Sequence, residues 1–472
     1  AATPAALAQA TATWSQTQGS AAHTGVGDGP EPPFAEAWRA EQPSSGPGSQ
    51  YGLSAPIVVG DEAVAVGPRA LVGISLHDGS VTWTVDRRFG PSVAPAAASV
   101  RGRTLVLFTE GFGTGPPSAS PTPSPSPSPS SDDEGEQPPS FLTAIDAATQ
   151  RPAWEAPVRL EAVSRSGVTV DGGTAFLADR LGTVVAVDAA DGEVIWSEDA
   201  GGPITAPLAV GDGTVVATVE GNRTTRARLV AFDAATGEVD WRHEVAGSAV
   251  FGSAPSIGEG AIYVGFSDQT VRRFDLGDGT QGWATRVNGL AFVGIPAVTP
   301  DAVVVVDAAG QVYRIDPTTG ARTWDFALNE LVVRSSAVVV GDHVLVATVG
   351  GDLAAIGLDD GRLVWRRGER GPVLRNLAPA GDVIVGVQGG PHAGLIAFAH
   401  DPDGELVSVV SPTELDPASL IVNYLIAAVP LALVLLLLGR WLRGRMGPAF
   451  LDDEVQPGLD PVEVALQGGE DA

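Results

Sequence analysis

Eight tryptophans punctuate the chain at a nearly constant stride. Trp38, Trp83, Trp154, Trp196, Trp241, Trp283, Trp324 and Trp365 are separated by 45, 71, 42, 45, 42, 41 and 41 residues. Most follow one phrase: an apolar strand, an Asp, a tight turn containing Gly, three residues, then Trp. It reads VVAVDAADGEVIW at 184–196, LVAFDAATGEVDW at 229–241, VYRIDPTTGARTW at 312–324 and LAAIGLDDGRLVW at 353–365. A period of about 40–45 residues built from short strands specifies a β-propeller blade. It implies one large radial domain in place of two or three ordinary ones.

Each stride carries four strand signals; over 197–241 they are PITAPLAV, TVVATVE, RLVAFD and EVDW. Short strands divided by turn residues form an antiparallel meander. One meander alone has free edges and a bare face, so it is stable only when stacked on neighbours. In the D-A-A-T-G turn the Asp side chain bonds amides two residues on, and Gly supplies the positive φ that closes the hairpin. The tryptophan opens the outer strand, where its ring fills the gap between blades and its N–H finds a carbonyl. The eight rings are therefore read as blade-docking groups, not as a cofactor box.

The turns at Gly79, Gln150 (a variant), Gly192, Gly237, Gly279, Gly320, Gly361 and Gly404 also number eight. The last is followed by Ser408 where Trp should stand, and Trp38 has no repeat before it. Both irregularities vanish if the strand around Trp38 supplies the outer strand of the eighth blade, which also removes free edges. The expected fold is all-β: an eight-bladed propeller of four-stranded antiparallel blades over 14–410, followed by one C-terminal transmembrane helix. The step of 71 is explained by a Pro/Ser-rich insertion, 111–140, between the second and third strands of blade two. Alternating Pro and Ser favours extended, hydrated chain, so it reads as a disordered surface loop, either a spacer or an acidic flap over one face.

The two ends suggest a compartment. Residues 1–13 are Ala-rich and include Ala8-Gln9-Ala10, like the cleavage end of a secretory signal. At 419–438 the run LIVNYLIAAVPLALVLLLL from Leu420 to Leu438 carries no charge and has the length needed to cross the hydrocarbon core. Arg440, Trp441, Arg443 and Arg445 follow at once; basic residues mark the cytoplasmic side of a span and Trp its interface. The propeller is thus expected outside the cytoplasm and the acidic tail 439–472 inside. The formal charge of −28 argues against a nucleic-acid surface, since binding phosphate needs the opposite sign.

Candidate chemistry is sparse. The chain has no cysteine, and His23, His77, His243, His343, His392 and His400 show no metal-ligand spacing. Asp401-Pro402-Asp403-Gly404 occupies the slot of an ordinary blade turn and lacks the downstream Glu of a calcium loop. No phosphate loop or nucleophile elbow is present in the sequence. Charge is nonetheless sorted by topology. Third–fourth strand turns carry acids, including Asp78, Asp188, Asp191, Asp233, Asp278 and Asp359. The segments leaving the tryptophans carry Arg87, Arg88, Arg242, Arg286, Arg334, Arg366, Arg367, Arg370 and Arg375. In a meander these two sets emerge on opposite faces. The arginines are candidates for a binding mouth, against the alternative that they stack on Trp or pair with Asp as scaffolding.

The repeated D-x-x-[TD]-G-x-x-x-W phrase, the A-P-x-x-x-G-D phrase (Ala55-Pro56 to Asp61, Ala206-Pro207 to Asp212) and the opening Trp14…Gly19…His23-Thr24-Gly25 resemble the PQQ-binding-like propellers. That group includes quinoprotein alcohol dehydrogenases and the barrel-assembly lipoprotein propeller. For a dehydrogenase the resemblance would imply a vicinal cysteine pair over the quinone and a calcium held by Glu and Asn near a catalytic Asp. No cysteine and no such constellation is found here, so no catalytic, cofactor or metal residue is assigned. The expectation is a non-enzymatic scaffold at the cell envelope, anchored in the bilayer and binding an envelope protein or a ligand. The alternatives are a quinone- and calcium-dependent dehydrogenase, or an extracytoplasmic sensor.

Overall fold

The computed structural model describes residues 12–41, 52–111, 139–221, 226–245, 253–287, 294–333, 335–367, 371–389 and 393–406. The chain divides into two units, Ala1–Val409 and Val410–Ala472. The described residues all belong to the first. The expected membrane helix at 419–438, the tail with Arg440, Trp441, Arg443 and Arg445, and most of the insertion lie outside them. Among the described residues no helix is long and apolar enough to cross a membrane.

The described chain forms eight antiparallel meanders. Blade 4 is typical, with strands Ala209–Gly211, Thr214–Val219, Arg228–Asp233 and Val239–Glu244 paired in that order from axis to rim. The middle strands are buried on both faces, whereas the fourth strand alternates between half-buried and exposed residues. This is why the middle strands read in sequence as apolar runs. Apolar side chains of adjacent blades interdigitate: Leu105, Leu107 and Trp154 of blade 2 pack with Val185 and Val187 of blade 3.

Closure follows the expected route. Phe34–Glu41 is the outer strand of blade 8, antiparallel to Gly394–His400, with Phe34 opposite His400 and Trp38 opposite Ala397. The last blade is therefore completed by the first part of the chain. A strand also begins at Ala12, inside the stretch expected to be a signal remnant; Ala12–Trp14 adds to the inner strand of blade 1.

The tryptophan contact repeats with small scatter. The indole N–H of Trp38, Trp154, Trp196, Trp241, Trp283 and Trp324 donates to the carbonyl of Leu76, Ala189, Ala234, Leu276, Pro317 and Leu358 in the next blade, at 2.7–3.0 Å. Each ring lies on the glycine of that blade's turn. A Cβ built on Gly237, which has a φ of 77°, would sit 2.6 Å from the Trp196 ring. The pairing register slips by one just before the tryptophan, as between Ala231↔Trp241 and Phe232↔Val239. Such a bulge bends the strand and re-aims its side chain, here toward the neighbouring blade.

Two positions depart from the rule, and both have a cause. The turn after Trp83 carries Gln150, at a φ of 56°, in place of glycine. Trp83 instead folds over Gly73 of its own blade and donates to Glu62 Oε2 at 2.7 Å. At the seam, Pro33 covers Gly404 and Trp365 meets Phe34 edge-on, ring centroids 5.1 Å apart. Substituting Gly237→Ala forces a side chain into both the ring and a left-handed backbone, and is expected to lower stability by about 1–3 kcal/mol. Trp196→Phe, which leaves the Ala234 carbonyl unpaired, is expected to cost about 1–2 kcal/mol. Denaturant titration checks both, and changes under about 0.5 kcal/mol would show that the blades do not lean on this contact.

Candidate functional site

The turns of one face carry two sets of acids, and the connections of the other face carry acids as well, among them Glu220, Asp268, Glu330 and Asp352. Third–fourth turns carry Asp78, Asp146, Asp188, Asp233, Asp275, Asp316, Asp359 and Asp401 around the outer part of one face. The Asp233 carboxylate accepts from the Thr236 amide and hydroxyl and the Ala235 amide, and these bonds hold its pKa below the usual carboxylate range. Asp316 is depressed for the same reason by Thr319 and Thr318. The first–second turns add an inner ring on the same face. Asp61, Asp171, Asp212, Glu259, Asp301, Asp342 and Asp382 are all exposed, one in every blade but the second, where Arg101 stands. The G-D of the phrase at Asp61 and Asp212 is the sequence signal for this inner ring.

The seven candidate arginines among the described residues are spread over outer strands, connections and one inner strand. Arg242 and Arg286 are exposed on the outer strands of blades 4 and 5, at the perimeter. Arg366 ends the outer strand of blade 7, where it binds Asp352 and reaches Glu330 of blade 6 at 3.3 Å. Arg367 pairs with Glu36 of the closing strand at 3.0 Å and lies over the Phe398 ring. Arg88 stacks on Phe141. Arg87 is buried and donates to the carbonyls of Gly67 and Pro91; burial lowers its pKa to about 10. Arg375 sits on an inner strand, that of blade 8. Arg334 and Arg370 lie outside the described residues. Four of the nine thus join blades or cap loops. The face of second–third and fourth–first connections also exposes apolar side chains: Leu181 and Leu331 are each 53 % exposed and Val333 44 %.

The axis itself is occupied by the chain. From Trp14 to Asp28 a strap visits every blade in order. After pairing with blade 1, Ser15 accepts from the Ala97 amide of blade 2 at 2.7 Å. The Gln16 side chain then bonds both backbone groups of Val170 in blade 3, at 2.7 and 3.0 Å. The carbonyls of Ala21, Ala22, Thr24 and Gly25 accept from Val210, Ile257, Val298 and Val339 of blades 4 to 7 at 2.7–2.8 Å, and Asp28 accepts from Gly381 of blade 8 at 3.3 Å. The four donors of blades 4 to 7 are the middle residues of their inner strands. The opening Trp14…Gly19…Thr24-Gly25 phrase is this strap: the Trp14 ring lies on Gly19 and Gly27, where a Cβ would meet it at 2.7 and 2.8 Å.

His23 is completely buried in the strap. Its Nδ1 lies 2.9 Å from the Pro255 carbonyl; because a carbonyl only accepts, Nδ1 carries the proton. Its Nε2 has no hydrogen-bond partner among the described residues. Burial therefore lowers its pKa from 6.5 to about 4. Between those values the unfolded chain takes up a proton that the folded chain does not, so stability rises with pH through this window. His23→Asn suits the positive φ of 56° and removes the titration. Wild-type stability is expected to fall relative to this variant by about 1.4 kcal/mol per pH unit on acidification below pH ~6.5. Parallel stability curves from pH ~7 to ~5 would contradict this.

The fold and this axial strap define a closed eight-bladed propeller of the quinoprotein-like repeat type. A family model described as outer membrane protein assembly factor BamB matches residues 140–269, 205–291 and 267–413, together more than half the chain, and the chain belongs to that family. Its backbone is similar to that of BamB from Moraxella catarrhalis, with a TM-score of 0.56 and 16 % identity over 78 % of this chain and 100 % of that one. It is also similar to the computationally designed Ika8 protein, with a TM-score of 0.57 and 12 % identity over 77 % and 99 % of the two chains. The quinohemoprotein alcohol dehydrogenase ADHIIG of Pseudomonas putida HK5 gives a TM-score of 0.56 and 12 % identity over 84 % and 82 %. No curated protein sequence matches the chain. At these identities the structural likeness speaks for the fold alone.

Proposed function

We propose that the protein is a non-catalytic scaffold of the cell envelope. In this reading the propeller lies outside the cytoplasm, the 419–438 segment spans the bilayer and 439–472 faces the cytoplasm. A protein partner docks on the face of the second–third and fourth–first connections. The carrying observation is that the connection face exposes Leu181, Leu331 and Val333 next to carboxylates such as Glu220 and Asp268. Isolated exposed apolar residues are ordinary, but several on one face among charged groups suit a docking surface with an apolar centre and a polar rim. The family description, an outer membrane assembly factor, supports an envelope role.

The dehydrogenase reading has less support. Among the described residues no group of His, Cys, Asp and Glu is arranged to hold a metal ion, and the chain has no cysteine for a vicinal pair. A sensor would need a second conformational state with different ligand affinity.

The test is in-membrane cross-linking of the full-length protein followed by recovery of its partner. Leu331→Glu with Val333→Glu is expected to reduce recovery at least tenfold, roughly the 1.4 kcal/mol that one good interface contact supplies, with Tm unchanged. Asp212→Asn with Asp342→Asn is expected to leave recovery intact. No stoichiometric partner in the wild type would overturn the scaffold; loss of the partner on neutralising the carboxylates instead would overturn the choice of face.

A further inference from the structure

A propeller's axial channel is its natural place for a small planar ligand, since concave sites at the centre of radial folds gather groups from several elements. In this chain that place is filled from within. The strap is bonded to the inner edges of blades 1 to 7 and so stands inside the wall that a ligand would have to reach. The strap also crosses its own centre. Residues Thr17–Gly19 make a turn, and from it Gln18 spans the ring. Its carbonyl accepts from the Gly25 amide at 3.0 Å, and its side-chain amide donates to Ala337 of blade 7 at 3.1 Å. Blade 7 is diametrically opposite blade 3, where the preceding Gln16 is bound. Gln16 and Gln18 are 4 % and 7 % exposed, so both polar side chains are spent inside the channel on main-chain groups. Gly25 has room for no side chain, its Cβ position lying 2.7 Å from Gln18 Nε2.

We propose that the axial channel is a main-chain binding site whose permanent ligand is the chain's own residues 12–29, to the exclusion of a quinone or other planar cofactor. The inner-strand amides of Ala97, Val170, Val210, Ile257, Val298 and Val339 are the site. The ligand class they select is extended polypeptide, because they present strand-edge donors at blade spacing. The residues present do not fit a quinone: its carbonyl oxygens would compete for amides that already have acceptors, at an axis already crossed by Gln18.

Two measurements on the full chain test this. First, the wild-type protein is dialysed with pyrroloquinoline quinone and calcium. The expected result is no stoichiometric quinone absorbance after dialysis and no shift in Tm; retained stoichiometric quinone would overturn the proposal, whether or not any substrate is oxidised. Second, the absence of native cysteines allows clean single-thiol labelling. Gln16→Cys, on the strap, is expected to react with a small maleimide at least ~100-fold more slowly than Val81→Cys on the exposed rim, a protection of the size that local burial in a folded domain gives. Equal rates in a variant with native Tm would show an open channel. If Gln16→Cys does not fold, the quinone titration on the unmodified protein still decides.

Discussion

Every blade of a propeller leaves one strand edge facing the axis, and that row of unpaired amides must be satisfied by water, by a ligand or by protein. Here it is satisfied by protein. The strap from Trp14 to Asp28 bonds the inner strands of blades 1 to 7 in turn and the turn after the inner strand of blade 8, and then runs through Pro32-Pro33 into the outer strand of blade 8. One stretch of chain therefore closes the ring twice, once at the axis and once at the rim. Loop-closure entropy opposes such long-range contacts until most of the ring is built, so the eight blades and the strap gain stability together.

Between blades the repeated device is a large ring on a bare backbone. The turn glycine is needed twice over, for its left-handed φ and because its missing Cβ is where the tryptophan lies. The exception at Gln150 shows the logic. Once a side chain occupies that position, Trp83 turns back on its own blade, and blade 2 keeps only a two-residue outer strand, Val158–Arg159. The irregular blade is also the one that carries the long insertion.

Blade number, strand count and the identity of the closing strand were all legible in the sequence, because the phrase ending at each tryptophan recurs and the surplus at Trp38 matches the deficit at Ser408. The strap was not legible as such. Trp14, Gly19 and Gly25 carry part of the family resemblance, but a chain that spends one residue or two per blade has no strand periodicity, and two of its bonding groups are glutamine side chains. Of the arginines after the tryptophans, Arg87, Arg88, Arg366 and Arg367 serve the scaffold, the alternative the sequence leaves open, and Arg242 and Arg286 lie on outer strands. Function was less visible still, since a repeat that specifies a scaffold is shared by proteins with different roles.

Native-state hydrogen exchange of the inner-strand amides tests the double closure most directly. If the strap is an integral part of the ring, the amides of Val210, Ile257, Val298 and Val339 exchange only through global unfolding, as slowly as the amides of the fully buried second strands, such as Val216 and Val304. Exchange of those four by orders of magnitude faster, while Val216 and Val304 stay protected, would show that the axis opens in the folded protein and that the ring does not depend on its strap.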